Sequence, residues 1–116
     1  MSNKSLGKNG EEIAKTHLEK AGYTILEMNK HFSNLCEIDI IALDKDTLVF
    51  VEVKTRKTDI CGHPFEAITR TKYNHIKRGL YMYLRENPKY KKYRIDAVSV
   101  LLKPEIKIEH LKNINF

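Results

Sequence analysis

Several features that would assign this chain to a common class of protein are missing from its sequence. No apolar run approaches the ~20 residues that span a bilayer, and residues 1–5 lack the apolar stretch of a signal peptide. The only two cysteines, Cys36 and Cys61, form no CxxC pair, and no two histidines have HxxxH spacing. We therefore expect a cytoplasmic protein with free thiols and no structural zinc.

Internal repeats, linkers and low-complexity segments are also missing. The 116 residues suffice for one hydrophobic core, so we expect a single domain over residues 1–116. Apolar periodicity and the positions of glycine and proline predict the elements in the order α-β-β-β-α-β with a short edge strand. They are helices at 6–21 and 65–87, and strands at 23–28, 37–43, 47–54, 94–102 and 106–108. This order predicts an α/β fold, a mixed sheet with helices packed on it.

Acidic residues are scarce in residues 70–94. This segment carries nine basic residues and one acid, Glu86, with five interleaved tyrosines, in a chain of net charge +6. Such a segment is typical of a surface that binds a polyanion, and a solvated lysine-rich face is the alternative. The residues expected to contact nucleic acid are basic side chains in this segment or just after the third strand: Arg56, Lys57, Arg70, Lys72, Lys77 and Arg78.

Charged residues interrupt two strands that otherwise read as apolar. Asp39 lies among isoleucines, while Glu52 and Lys54 end the third strand. If Leu43 pairs with Leu48 across a four-residue turn, Asp39 falls opposite Glu52 on one face, with the Cβ atoms ~5 Å apart. Two bare carboxylates so placed repel each other, and a cation between them would remove that repulsion. The spacing therefore predicts a site for a divalent cation and a phosphate.

Each helix also carries a charged residue on its apolar side. Glu11 precedes Ala14 by three residues, so it lies on the stripe expected to face the sheet. Favourable interaction with the helix dipole is the alternative explanation, although it does not account for an inward Glu11. Lys72 lies within the stripe of the second helix, either as a residue of the site or as a lysine extending to its edge.

Together these motifs resemble the YraN family, also called UPF0102. The strings that carry the resemblance are Gly10-Glu11-Glu12-Ile13-Ala14, Glu37-Ile38-Asp39 and Phe50-Val51-Glu52-Val53-Lys54-Thr55-Arg56. The family is similar to the restriction-endonuclease-like superfamily of PD-(D/E)XK nucleases, near archaeal Holliday-junction resolvases. The resemblance implies a mixed central sheet flanked by helices and metal-dependent cleavage of nucleic acid, DNA more than RNA. Structured or branched DNA is one candidate substrate and a homodimer one candidate assembly, and the sequence leaves both open.

The resemblance also implies roles for individual residues. Asp39, Glu52 and Glu11 correspond to ligands of Mg²⁺, with Mn²⁺ as substitute, and Lys54 completes the catalytic set. Lys54 would hold the attacking water or the scissile phosphate. Two other hypotheses remain: a nucleic-acid-binding module with the nuclease fold but without turnover, and a protein whose basic helix binds an acidic partner.

Overall fold

The structure, a computed structural model, describes residues 3–34, 36–58 and 68–115. Five strands form one mixed sheet in the order β1-β2-β3-β4-β5, in which only the β3–β4 pair is parallel. The elements are α1 (Asn3–Lys20), β1 (Thr24–Phe32), β2 (Cys36–Asp44), β3 (Thr47–Arg56), α2 (Arg70–Glu86), β4 (Lys92–Leu101) and β5 (Lys107–Leu111). The predicted α/β class and element order are confirmed, including the short edge strand. Within the described residues, no helix is long and apolar enough to cross a membrane.

The hairpin between β2 and β3 has the register expected from its turn. Leu43 pairs with Leu48 and Asp44 with Thr47, and Lys45 in the turn has a positive φ of 57°. Ladder pairing runs as far as Ile40 and Val51, next to the two acids. The even loop therefore brings Asp39 and Glu52 to the same end of adjacent strands.

The two helices cover opposite faces of the sheet because residues alternate along β3. Val49 and Val51 pack in one buried cluster with Leu18 of α1. Leu48 and Phe50 pack in another with residues of α2. The sheet is thus buried on both sides, which explains why β2 and β3 read as nearly continuous apolar runs.

The second helix begins later than predicted. Its first residue is Arg70, because the Thr69 side chain accepts a hydrogen bond from the Lys72 backbone N–H and caps the helix. Ile68 and Thr69 are not helical, while residues 65–67 of the predicted helix lie outside the described residues. The third strand ends later than predicted, at Arg56, as its ladder with β4 continues to Leu101.

A close approach between α1 and β3 determines where Glu11 lies. Gly10 is buried against Thr55, and a Cβ atom on Gly10 would overlap the Thr55 side chain. Only glycine lets the two backbones come this near. The first turns of α1 therefore lie beside the last residues of β3, and Glu11 follows at that end of the sheet.

A buried charge network centres on Asp96, whose side chain is fully excluded from solvent. Asp96 accepts hydrogen bonds from Arg94 Nε (2.9 Å) and the Asn113 backbone N–H (2.9 Å), and His110 Nε2 lies 2.8 Å from its Oδ2. Arg94 also donates to Asp44 Oδ2 at 3.0 Å. The network ties β4 to β5 and to the end of β2.

Candidate active site

A polar cleft of about 560 Å³ opens where β3 ends and α1 begins. Its lining includes all four residues that were predicted to act together, and also Lys72: Glu11, Asp39, Glu52, Lys54 and Lys72. Leu6 and Gly7 of α1 line it too, with Val53 and Thr55 of β3. The side chains that interrupt apolar strands and stripes in the sequence thus surround one space in the fold.

A backbone hydrogen bond holds Asp39 in place. Its Oδ2 accepts from the Val53 N–H at 2.8 Å, so the end of β2 is joined to β3 through a side chain. Glu52, the residue before Val53, has only 6 % of its surface exposed. The two carboxylates are therefore close together in an environment with little water to screen them.

The electrostatics of the cleft disfavour a bare carboxylate at Asp39. Burial, followed by repulsion from Glu52 and then from Glu11, raises the pKa of Asp39 from 3.8 to about 8. The Val53 N–H and the Lys72 ammonium counteract part of this rise. Without a cation, Asp39 is therefore largely protonated near neutral pH, and a cation bound beside it would favour the ionised carboxylate.

Lys72 supplies positive charge on the Glu52 side of the cleft. Its ammonium forms an ion pair with Glu52 Oε1 across the space between α2 and β3, and its side chain remains 48 % exposed. From the sequence, Lys72 was expected to contact nucleic acid, and whether it belongs to the site was open. The structure puts it in the cleft, directly on a buried acid.

Glu11 reaches the cleft beside an asparagine that sequence analysis gave no role. With its amide nitrogen facing the carboxylates, Asn29 donates to Glu11 Oε1 at 2.5 Å and to Glu37 Oε1 at 3.0 Å. Burial, then repulsion from Glu37 and Glu52, raises the pKa of Glu11. The backbone of Asn29 is left-handed, with a φ of 53° inside β1, which is uncommon for a residue other than glycine. The sequence alone does not show that conformation.

The acidic side chains surround the cleft without converging on one point. In the part of the chain that the structure describes, no three His, Cys, Asp or Glu side chains form a set that could hold a metal ion as they stand. Glu37 is exposed and lies 3.7 Å from His31 Nε2 at the rim. The arrangement offers carboxylate oxygens from three elements around one space.

The basic segment at 70–94 divides into two groups. Three members lie against acids: Lys72 on Glu52, Lys92 on Asp46 at 3.2 Å, and Arg94 in the Asp96 network. Arg94 points inward, so it does not belong to the surface expected from the sequence. The other six are exposed: Arg70, Lys77, Arg78, Arg85, Lys89 and Lys91. At the end of β3 Arg56 is half-buried, and Lys57, the residue after it, is exposed.

Asp39→Asn is expected to stabilise the protein, and increasingly so as the pH rises. The raised pKa means that ionising Asp39 costs more in the folded than in the unfolded chain, whose carboxyl titrates near 4. The difference between variant and parent should be absent below about pH 4 and grow until about pH 8. We expect the melting temperature at pH 8 to rise by about 4 °C or more. Thermal unfolding monitored by circular dichroism from pH 4 to 8 measures this.

Asp46→Asn is the matched control, because Asp46 is an exposed acid in a surface ion pair. Its melting temperature should follow that of the parent. A destabilised Asp39→Asn protein at pH 8 would show instead that the ionised Asp39 supports the fold.

Comparison with solved structures defines the class of fold. The chain is similar to Hjc of Archaeoglobus fulgidus, a Holliday junction resolvase from an archaeal hyperthermophile, with a TM-score of 0.50 over 88 % of this chain and 72 % of that one. The two are 20 % identical, so the likeness concerns the fold, which is restriction-endonuclease-like.

Comparison of sequences then identifies the family. The chain belongs to the uncharacterised protein family UPF0102, whose model matches residues 10–100. A UPF0102 protein of Dictyoglomus thermophilum is 44 % identical over 109 residues, covering 93 % of this chain and 92 % of the relative. One from Caldicellulosiruptor saccharolyticus is 47 % identical over 103 residues, covering 88 % and 86 %. The family predicted from the motifs is confirmed.

Proposed function

We propose that this protein is a metal-dependent nuclease that hydrolyses phosphodiester bonds in DNA. The observation that carries the proposal is the cleft in which the half-buried Asp39 and the buried Glu52 meet Lys54 and Glu11 at the end of β3. Buried carboxylates are costly unless something compensates them. Placing several at one solvent-accessible cleft is more readily explained by chemistry than by stability.

The donor atoms are carboxylate oxygens, which Mg²⁺ prefers while it retains several waters, although in the described residues these side chains do not converge on one ion as they stand. Asp39 and Glu52 would hold the ion from adjacent strands, and Glu11 would hold it from α1, directly or through water. The raised pKa of Asp39 supports this fit, since a cation is what its carboxylate lacks. When bound, the ion supplies a bound water of lowered pKa and positive charge near the scissile phosphate.

The protein's own residues then have distinct tasks. Val53 N–H fixes one Asp39 oxygen and leaves the other free to face the cleft. Lys54, two residues after Glu52, would bind a non-bridging phosphate oxygen or orient the attacking water. Lys72 holds Glu52 in place through its ion pair. In this arrangement the acids form one side of the site and the lysines provide charge for the phosphate.

The exposed bases on and after α2 favour nucleic acid as the substrate. Arg70, Lys77 and Arg78 belong to the helix that also carries Lys72 into the cleft. We propose DNA rather than RNA, and branched DNA in particular, because the fold is shared with a protein described as a Holliday junction resolvase. A homodimer and a cytoplasmic location are part of the same proposal.

A panel of labelled substrates tests the activity. Single strands, duplex, flap, four-way junction and RNA are incubated with Mg²⁺ or Mn²⁺, and products are resolved on denaturing gels. We expect metal-dependent cleavage of at least one DNA substrate, lost in Lys54→Ala. Cleavage at the parental rate in both Lys54→Ala and Asp39→Asn would come from another enzyme in the preparation. Binding without cleavage of any substrate would favour the module without turnover.

Binding to nucleic acid should weaken steeply as salt rises. Neutralising phosphates releases counterions, so the logarithm of the affinity falls with the logarithm of salt concentration by about 0.9 for each duplex phosphate contacted. Charge reversal at Lys77 and Arg78, or at Lys91 and Lys92, should lower affinity for all sequences alike and reduce this slope. Fluorescence anisotropy between 50 and 200 mM salt measures both. An affinity independent of salt would mean that these bases do not contact phosphate.

A further inference from the structure

Two large aromatic side chains, both tyrosines, are exposed on the α2 side of the sheet. Tyr81 of α2 is 46 % exposed and Tyr93 of β4 is 47 % exposed. Their ring centroids lie 6.3 Å apart with the planes at 90°. The rings thus form an open corner in which a flat group could stack on one ring and touch the other with its edge.

Positive charge surrounds this corner. Lys77 Nζ lies 6.0 Å from the Tyr81 ring centroid, and Lys89 and Lys91 are exposed in the segment that leads into Tyr93. The other large exposed apolar side chains in the described residues, Ile106 and Leu111, lie at or near β5 rather than at this corner. Aromatic rings combined with lysines are the usual elements of a surface that stacks bases and binds the phosphates between them.

The corner also lies at a useful distance from the cleft, on the same side of the sheet as Lys72. Along α2, Tyr81 follows Lys72 by nine residues, a rise of about 14 Å. Along β3, Glu52 follows Leu48, the partner of Tyr93, by four residues, a rise of about 13 Å. By either element, the corner lies a few nucleotide lengths from the acids of the cleft.

We propose that Tyr81 and Tyr93 form a stacking platform for unpaired bases, so that the protein engages a single-stranded segment next to the phosphate in its cleft. This proposal rests on the proposed nuclease function and specifies its substrate. An unpaired base stacks on the exposed rings, and Lys77 binds the adjacent backbone. A fully paired duplex buries its base faces and cannot use the platform.

The test uses two single-stranded 12-mers with equal charge, oligodeoxythymidine and an abasic oligomer. Anisotropy is measured without divalent metal. Tyr81→Ala and Tyr93→Ala should each weaken binding of oligodeoxythymidine by about 10-fold and leave binding of the abasic oligomer and of a 12-base-pair duplex unchanged. Tyr81→Phe and Tyr93→Phe should behave like the parent, because the ring is retained.

Two controls separate stacking from charge and from folding. Ile106→Ala removes an exposed apolar side chain away from the corner and should leave all affinities unchanged. Lys77→Gln should weaken the binding of all three probes. If the alanine variants lower affinity for both 12-mers equally, or for neither, base stacking is overturned. If polyglutamate displaces oligodeoxythymidine from the parent as effectively as a competing nucleic acid does, the corner binds acidic peptides instead.

The outcomes for the platform and for the nuclease are distinguishable. A protein that cleaves duplex DNA but whose tyrosine variants bind single strands normally retains the proposed function and loses the platform. A protein that cleaves nothing but stacks bases through Tyr81 and Tyr93 retains the platform and loses the proposed nuclease activity. Failure of the parent to bind any oligomer overturns both.

Discussion

Asp39→Asn is expected to abolish Mn²⁺ binding and cleavage while affinity for nucleic acid remains at least equal to that of the parent. Asparagine keeps the shape of the side chain, and its carbonyl oxygen can still accept from the Val53 N–H. Above about pH 8, where Asp39 is ionised, it removes one negative charge from a cleft that also contains Glu52 and Glu11, so repulsion of phosphate falls. Loss of a charged ligand should reduce the cleavage rate by about 10³-fold or more.

Lys54→Ala is the variant that separates metal binding from turnover. It leaves the three carboxylates intact, so Mn²⁺ should still bind, while the rate should fall by about 10²-fold or more as charge at the phosphate is lost. Electron paramagnetic resonance of Mn²⁺, single-turnover cleavage and anisotropy without metal give the three readouts. Asp46→Asn removes an exposed acid outside the cleft and should match the parent in each. If Asp39→Asn still cleaves nucleic acid, Asp39 does not belong to the proposed site.

Asp96→Ala should have the largest effect on stability, a loss of about 3–5 kcal/mol in the free energy of unfolding. Asp96 is fully buried, and its removal leaves the Arg94 guanidinium without its main partner in a region of low dielectric. The Asn113 backbone N–H loses its acceptor as well. Urea denaturation at pH 7 measures the loss. Asp46→Ala, which breaks the exposed pair with Lys92, is the control and should change the urea midpoint little.

The effect of Asp96 should depend on pH in a defined direction. Although burial alone would raise its pKa, the hydrogen bonds from His110, Arg94 and Asn113 outweigh burial and hold the pKa of Asp96 below its ordinary value. Its contribution is therefore complete above the unfolded pKa near 4 and is lost as the pH falls below that value. The gap between parent and variant should narrow in acid. A parent no more stable than Asp96→Ala at pH 7 would show that the network contributes nothing to folding.

Some features of the site follow from local rules that the sequence obeys. Side chains alternate along a strand, and the turn between β2 and β3 is short and even, so the placement of Asp39 and Glu52 at one cleft could be predicted. The position of Glu11 on the apolar stripe of α1 predicted its inward direction in the same way. These inferences succeed because they involve residues close in sequence, or joined by a turn that permits few registers.

Other features depend on which elements meet in space, and the sequence alone did not show them. Lys72 reaches Glu52 because α2 packs on the face of the sheet to which Glu52 belongs. Asn29, whose backbone is left-handed within β1, donates to Glu11 and Glu37. Arg94 was counted with the surface bases, although Asp44 and Asp96 draw it inward.

The motif strings and the alternation of apolar residues by themselves determined the family, the element order and the acids of the cleft. The tertiary structure decided which charges compensate one another. Ion pairs between residues distant in the chain form only where packing brings their helices and strands together. The periodicity of a helix or a strand predicts which side of that element a residue lies on, and it does not predict which other element packs against it.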